Sequence, residues 1–128
     1  MSSDDDNVAG SGAAVAVAPD DAFSAAIAVH QAGKLDEAAN AYRQLLRANP
    51  DHAAARANLG QVLGTLGQLK EAETQYRRAL QPNDRDPAVW FNLGNLLRRQ
   101  DRLDDAIGAY RQALAIEPNF VEPHLNLA

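Results

Sequence analysis

The strongest constraint on this chain is that it repeats itself every 34 residues. Asn58-Leu59-Gly60 returns as Asn92-Leu93-Gly94. Tyr42, Tyr76 and Tyr110 share the offset, as do Leu35, Leu69 and Leu103. So do Ala38, Ala72 and Ala106, and Leu46, Leu80 and Leu114. Three aligned blocks result, 19–52, 53–86 and 87–120, and a fourth opens over 121–128. A period of this size marks a supersecondary unit that cannot bury its apolar face alone. Stacked copies can, and about three are needed for stability.

Each block divides into two helices. In the third, AVWFNLGNLLRRQ places Trp90, Leu93 and Leu97, with Gly94 and Leu96 beside them, at helical three-and-four spacing. A short turn follows at Asp101-Arg102. LDDAIGAYRQALAI then carries Leu103, Ala106, Ile107, Tyr110, Ala113 and Leu114 as a second stripe, closed by Pro118. The period predicts first helices over 20–32, 54–66 and 88–100 and second helices over 36–48, 70–81 and 104–116. Ala, Leu, Arg, Glu and Gln favour helix, and few stretches alternate or are β-branched. The expected class is therefore all-α, without a sheet. Ala26, Gly60 and Gly94 on first helices, and Ala38, Ala72 and Ala106 on second helices, let each pair approach closely. Tyr42, Tyr76 and Tyr110 are expected to fill the gap toward the next first helix.

The formal charge is −5, and Asp4, Asp5 and Asp6 supply three of the negatives. The remainder is near balance, which argues against nucleic acid as a partner. No apolar run is long enough to span a bilayer, so no membrane role is expected. The absence of Cys excludes disulfides and fits a reducing, cytoplasmic compartment. Residues 1–18 are rich in Asp, Gly, Ser and Ala, and acidic residues precede their apolar piece. A secretion signal needs basic ones there, so the segment reads as a disordered tail.

Catalytic material is scarce. From residue 19 onward the chain has one Ser, Ser24, two Thr, Thr65 and Thr74, and no Cys. His30, His52 and His124 fall in different blocks without metal-ligand spacing. Asp36-Glu37 and Asp104-Asp105 open second helices, where negative charge suits a helix N-terminus. Gly60 and Gly64 lie inside a helix and form no phosphate loop. No catalytic residue, metal or cofactor is expected, and the chain is not expected to be an enzyme.

These residues resemble the tetratricopeptide repeat family, whose 34-residue pattern runs aromatic, Leu-Gly, Tyr, Ala, aromatic, Ala, Pro. Block three matches most fully, with Trp90, Leu93, Gly94, Ala106, Tyr110, Ala113 and Pro118. Block two keeps Leu59, Gly60, Ala72, Tyr76 and Ala79, but has Arg56 at the Trp slot and Asp84 at the Pro slot. Block one keeps Ala38, Tyr42 and Pro50, with Ala25-Ala26 for Leu-Gly and Leu45 for a small residue. The resemblance covers everything from Pro19 onward. It implies a right-handed α-solenoid of helix-turn-helix repeats whose first helices line the concave face. His124, Leu127 and Ala128 take the slots of Trp90, Leu93 and Gly94, so the chain is expected to be a segment of a longer array.

On that concave face the sixth slot of each block holds Ser24, Asn58, Asn92 and Asn126. An amide offers an acceptor and two donors, so it can pair with both polar groups of an extended backbone. Neighbouring helices pack about 8–10 Å apart and an extended chain advances about 3.3–3.6 Å per residue. Each Asn would then meet a ligand about every third residue. The ladder resembles that of the repeat domain of O-linked N-acetylglucosamine transferases, where it holds substrate backbone irrespective of sequence. Asn at this slot can equally bond within or between helices, and the residues leave both readings open. Phe23 and Phe91 would add apolar surface, and Gln61, Asn95, Arg98 and Arg99 polar and basic contacts. Arg98 and Arg99 also read as a solvated face. The terminal-carboxylate clamp of chaperone-cofactor repeats is not expected, because its slots hold Phe23, Ile27, Ala88 and Asn92 and only Asn58 fits.

The leading expectation is a scaffold that binds an extended protein or peptide segment in its groove. The second is the substrate-presenting region of a larger bacterial, glycosyltransferase-like protein whose catalytic domain is absent from this chain. The third is self-assembly, because a cut array leaves its last second helix uncovered and homo-oligomers follow.

Overall fold

The computed structural model describes residues 19–81 and 83–120. Residues 1–18, expected to be a tail, residues 121–128, expected to open a fourth repeat, and Pro82 lie outside the described residues. Six helices follow one another: α1 Pro19–Gln31, α2 Leu35–Ala48, α3 Ala53–Thr65, α4 Leu69–Ala79, α5 Pro87–Arg99 and α6 Leu103–Ile116. They form an all-α solenoid of three hairpins, with no strand among the described residues. The predicted boundaries hold to within a residue except at α4, which ends two residues early. There the Leu80 N–H is shared between the carbonyls of Tyr76 and Arg77, at 3.1 and 3.2 Å, and this tightens the last turn. Pro82 further disfavours helical backbone at Gln81.

All three hairpins turn by one device. The N–H of Lys34 donates to the Val29 carbonyl at 3.2 Å, that of Gln68 to Leu63 at 2.8 Å, and that of Arg102 to Leu97 at 2.9 Å. The residue before each is left-handed: Gly33 at φ 82°, Gly67 at 86° and Asp101 at 64°. This Schellman closure satisfies carbonyls that the helix end would otherwise orphan. The carbonyls of Lys34, Gln68 and Arg102 then accept from Ala38, Ala72 and Ala106, starting the second helix. Acidic residues in the first turns of α2, α4 and α6 complement the helix dipole in place of a side-chain cap.

Within a hairpin the packing is set by glycine against tyrosine. A β-carbon on Gly60 would stand 2.9 Å from the Tyr76 ring, and one on Gly94 2.7 Å from the Tyr110 ring. Tyr76 and Tyr110 therefore close their own hairpins, where the expectation had all three tyrosines fill the gap toward the next first helix. Tyr42 does reach the following hairpin, where it faces Asn58. Leu59, Val62, Leu63, Leu93 and Leu97 complete a core that runs unbroken through the stack.

Between hairpins, each joint is tied by a side-chain donor and by charge. The Trp90 indole donates to the Asp84 carbonyl at 2.6 Å. At the equivalent place one repeat earlier, the Arg56 guanidinium donates to the Pro50 carbonyl at 3.1 and 3.3 Å. Arg56 departs from the family's aromatic yet supplies the same N–H. Arg43 on α2 bridges Glu71 on α4 at 2.8 Å. Glu73 holds both Arg77, at 2.9 Å, and Arg102, at 2.7 Å, and Arg102 also meets Asp105 at 3.2 Å.

Candidate functional site

An open groove of about 470 Å³ runs between first helices. Ile27, His30 and Gln31 of α1 form one wall, Asn58, Gln61 and Thr65 of α3 the other, and Tyr42 of α2 the floor. The spacing of three and four along each helix is what brings these side chains to one side. His30 Nδ1 lies 3.0 Å from the Tyr42 hydroxyl. Burial lowers the His30 pKa, favouring its neutral form. Burial also raises that of Tyr42, opposed by a hydrogen bond from Asn58. Asn58 is half-buried and lines the groove beside Tyr42 of the preceding hairpin.

The same arrangement recurs two repeats on, with changed side chains. Tyr110 donates its hydroxyl proton to Asn95 Oδ1. Arg98 Nε in turn donates to the Tyr110 hydroxyl at 3.3 Å. Arg98 thus occupies the repeat position of His30. Arg99 lies over Gly64 of α3, its Nη1 3.6 Å from where a β-carbon would stand. Neither Arg98 nor Arg99 forms an ion pair among the described residues, in contrast to Arg43, Arg77 and Arg102.

The expected site residues therefore separate. Asn58 and Gln61 share the groove with His30 and Tyr42. Asn92 is half-buried on α5 and Ser24 exposed on α1, each at the register of Asn58. Asn126 lies outside the described residues. Phe23 packs on Tyr42 and His52, with centroids 6.4 and 4.5 Å apart. Phe91 repeats this on Tyr110 and Phe120, at 5.0 and 5.5 Å. Both rings serve the fold and are only partly open to a ligand. His30 and Tyr42 were not singled out for the groove by the sequence, although His30 and Arg98 share a repeat position. Among the described residues no group of three or more potential metal ligands comes together, and no helix is long and apolar enough to cross a membrane.

Solved structures share this fold. MamA from Desulfovibrio magneticus RS-1 superposes with a TM-score of 0.74 at 22% identity, over 80% of this chain and 58% of that one. The chain spans about three fifths of MamA's length. The Yersinia enterocolitica chaperone SycD, in complex with a peptide of the translocator YopD, gives 0.75 at 20% identity, covering 78% and 76%. The first repeat domain of Spaghetti (RPAP3), bound to the HSP90 peptide SRMEEVD, gives 0.76 at 22%, covering 84% and 87%. No curated protein matches the sequence. Two family models described as tetratricopeptide repeat match residues 29–96 and 87–120. With the hairpins, their shared turn and the glycine–tyrosine packing in place, the chain belongs to the tetratricopeptide repeat family.

Proposed function

We propose that the chain is a scaffold that holds an extended protein or peptide segment along its first helices. The observation that carries this reading is the groove in which Asn58 and Gln61 face His30 and Tyr42. One hairpin on, Asn92 stands at the same register with Asn95 and Arg98 beside it. Amides at one repeat spacing suit the polar groups of a ligand backbone. The guanidinium groups of Arg98 and Arg99, which form no ion pair among the described residues, favour a carboxylate-bearing residue at that end. The peptides held by SycD and RPAP3 support the class of ligand and leave its sequence open.

The test uses peptides selected on this chain from a random display library. Asn58→Ala and Asn92→Ala should each weaken them about tenfold, the worth of roughly one good hydrogen-bonded pair. Circular dichroism checks that the variants still fold. Affinity unchanged in both would sink the ladder.

A grip on backbone rather than side chains suits varied substrates. The Asn register therefore favours a second reading, the substrate-presenting region of a larger bacterial transferase. Self-association is a further reading of the partner, favoured by the open apolar face of α6.

A further inference from the structure

The Tyr42 ring is fully buried, and its hydroxyl meets two groove residues at once. His30 Nδ1 lies 3.0 Å away on one side, and Asn58 hydrogen-bonds it on the other. A hydroxyl has one proton, so it donates to one neighbour and accepts from the other. The direction at His30 therefore dictates the direction at Asn58. The Asn58 bond lowers the Tyr42 pKa, which marks the amide N–H as the donor. The Tyr42 proton then points at a bare Nδ1, and the neutral His30 keeps its own proton on Nε2. In that state Asn58 Oδ1 is left for the groove, where it accepts a ligand N–H.

The third hairpin runs in the opposite direction. Arg98, at the repeat position of His30, donates its Nε proton to the Tyr110 hydroxyl at 3.3 Å. Tyr110 donates in turn to Asn95 Oδ1. A permanent cation at this slot thus turns the hydroxyl onto an amide oxygen. The second hairpin carries Gly64 there, with no side chain to direct Tyr76.

We propose, resting on the groove reading above, that Tyr42 couples His30 to Asn58, so that this subsite takes a ligand N–H when His30 is neutral and a ligand carboxylate when His30 is protonated. Protonated His30 donates from Nδ1 to the Tyr42 oxygen, as Arg98 does to Tyr110. The Tyr42 proton turns to Asn58 Oδ1, and the amide turns over to show its N–H groups to the groove. His30 Nε2–H stands beside them with a positive charge. Ile27 and Gln31 of α1, Tyr42 of α2, and Asn58, Gln61 and Thr65 of α3 line the groove with His30, and none is charged. The new charge meets no counter-charge among them and attracts an anionic group. Tyr42, the other titratable group here, has its pKa raised by burial and keeps its proton throughout. Burial lowers the His30 pKa, so the change falls below pH 6.5.

Two measurements test this, the first without a ligand. In nuclear magnetic resonance of the intact chain between about pH 8 and pH 5, the Asn58 side-chain amide should shift with the His30 ring, at one midpoint. Tyr42→Phe, which removes only the hydroxyl, should leave His30 titrating and Asn58 still. The second uses a peptide selected on this chain from a random display library at neutral pH, and its derivatives with one residue at a time changed to Glu, which stays ionised over this range. Relative to the parent peptide, one Glu derivative should gain about tenfold in affinity from the neutral to the acid end. His30→Arg should give that gain at neutral pH as well, and His30→Gln should abolish it. A His30 ring that does not titrate, or an Asn58 amide that stays still or moves equally in Tyr42→Phe, would overturn the coupling and leave the groove reading standing. Coupled titration with no Glu derivative gaining in acid would overturn the carboxylate preference. Coupled titration with selected peptides that ignore Asn58→Ala would overturn the groove reading and the ligand preference with it, while the coupling stands.

Discussion

At Gly60 and Gly94 a hydrogen is the largest side chain the hairpin admits. Alanine would gain about 1 kcal/mol in helix propensity. It would also drive a methyl into the ring of buried Tyr76 or half-buried Tyr110, and overpacking of this kind costs about 1–3 kcal/mol. Gly60→Ala and Gly94→Ala should therefore lower the urea midpoint. Gly108→Ala should raise it, adding about 0.5–1 kcal/mol of stability, because Gly108 is helical and a β-carbon there meets nothing within 4 Å. Asp101→Gly should also stabilise, by up to about 1 kcal/mol, by relieving a left-handed residue that bears a β-carbon. The repeated Asn-Leu-Gly made the close approach at Gly60 and Gly94 legible in the sequence. The tyrosine's direction was not, because a period fixes which positions are equivalent and not which neighbour each one faces. The demand for left-handed backbone at Gly33 and Gly67 was hidden for a related reason. The third block answers it with Asp101, so matching by identity passes over the slot.

The groove belongs to the scale of elements. Asn58 and Gln61 follow from the helical spacing of α3. The pairing of His30 with Tyr42 does not, since it forms across the turn from α1 to α2 and neither residue signals the other. On the opposite side of the hairpins, Glu73 joins α4 to the turn before α6. Burial disfavours its ionised form, but the hydrogen bonds and charges of Arg102 and Arg77 outweigh this and hold its carboxyl below the usual 4.5. The unfolded chain titrates at the ordinary value. The stabilisation is thus complete above pH 4.5 and is lost as the pH falls through the lower folded value. Urea titrations at neutral and strongly acidic pH should show Glu73→Gln less stable than the parent at neutrality, with the difference shrinking in acid.

The scale of the whole molecule was the most legible, because one number, the 34-residue period, dictates both hairpin and stack. Each hairpin touches only its neighbours, so the stack can open joint by joint. The chain has one tryptophan, and its indole is hydrogen-bonded to the Asp84 carbonyl in the joint between the second and third hairpins. Its fluorescence is therefore a local gauge. If that joint yields before the helices melt, the emission of Trp90 will change at a lower urea concentration than the far-ultraviolet circular dichroism. The gap between the two curves would then measure how independently the last hairpin unfolds, while coincident curves would show the three melting as one.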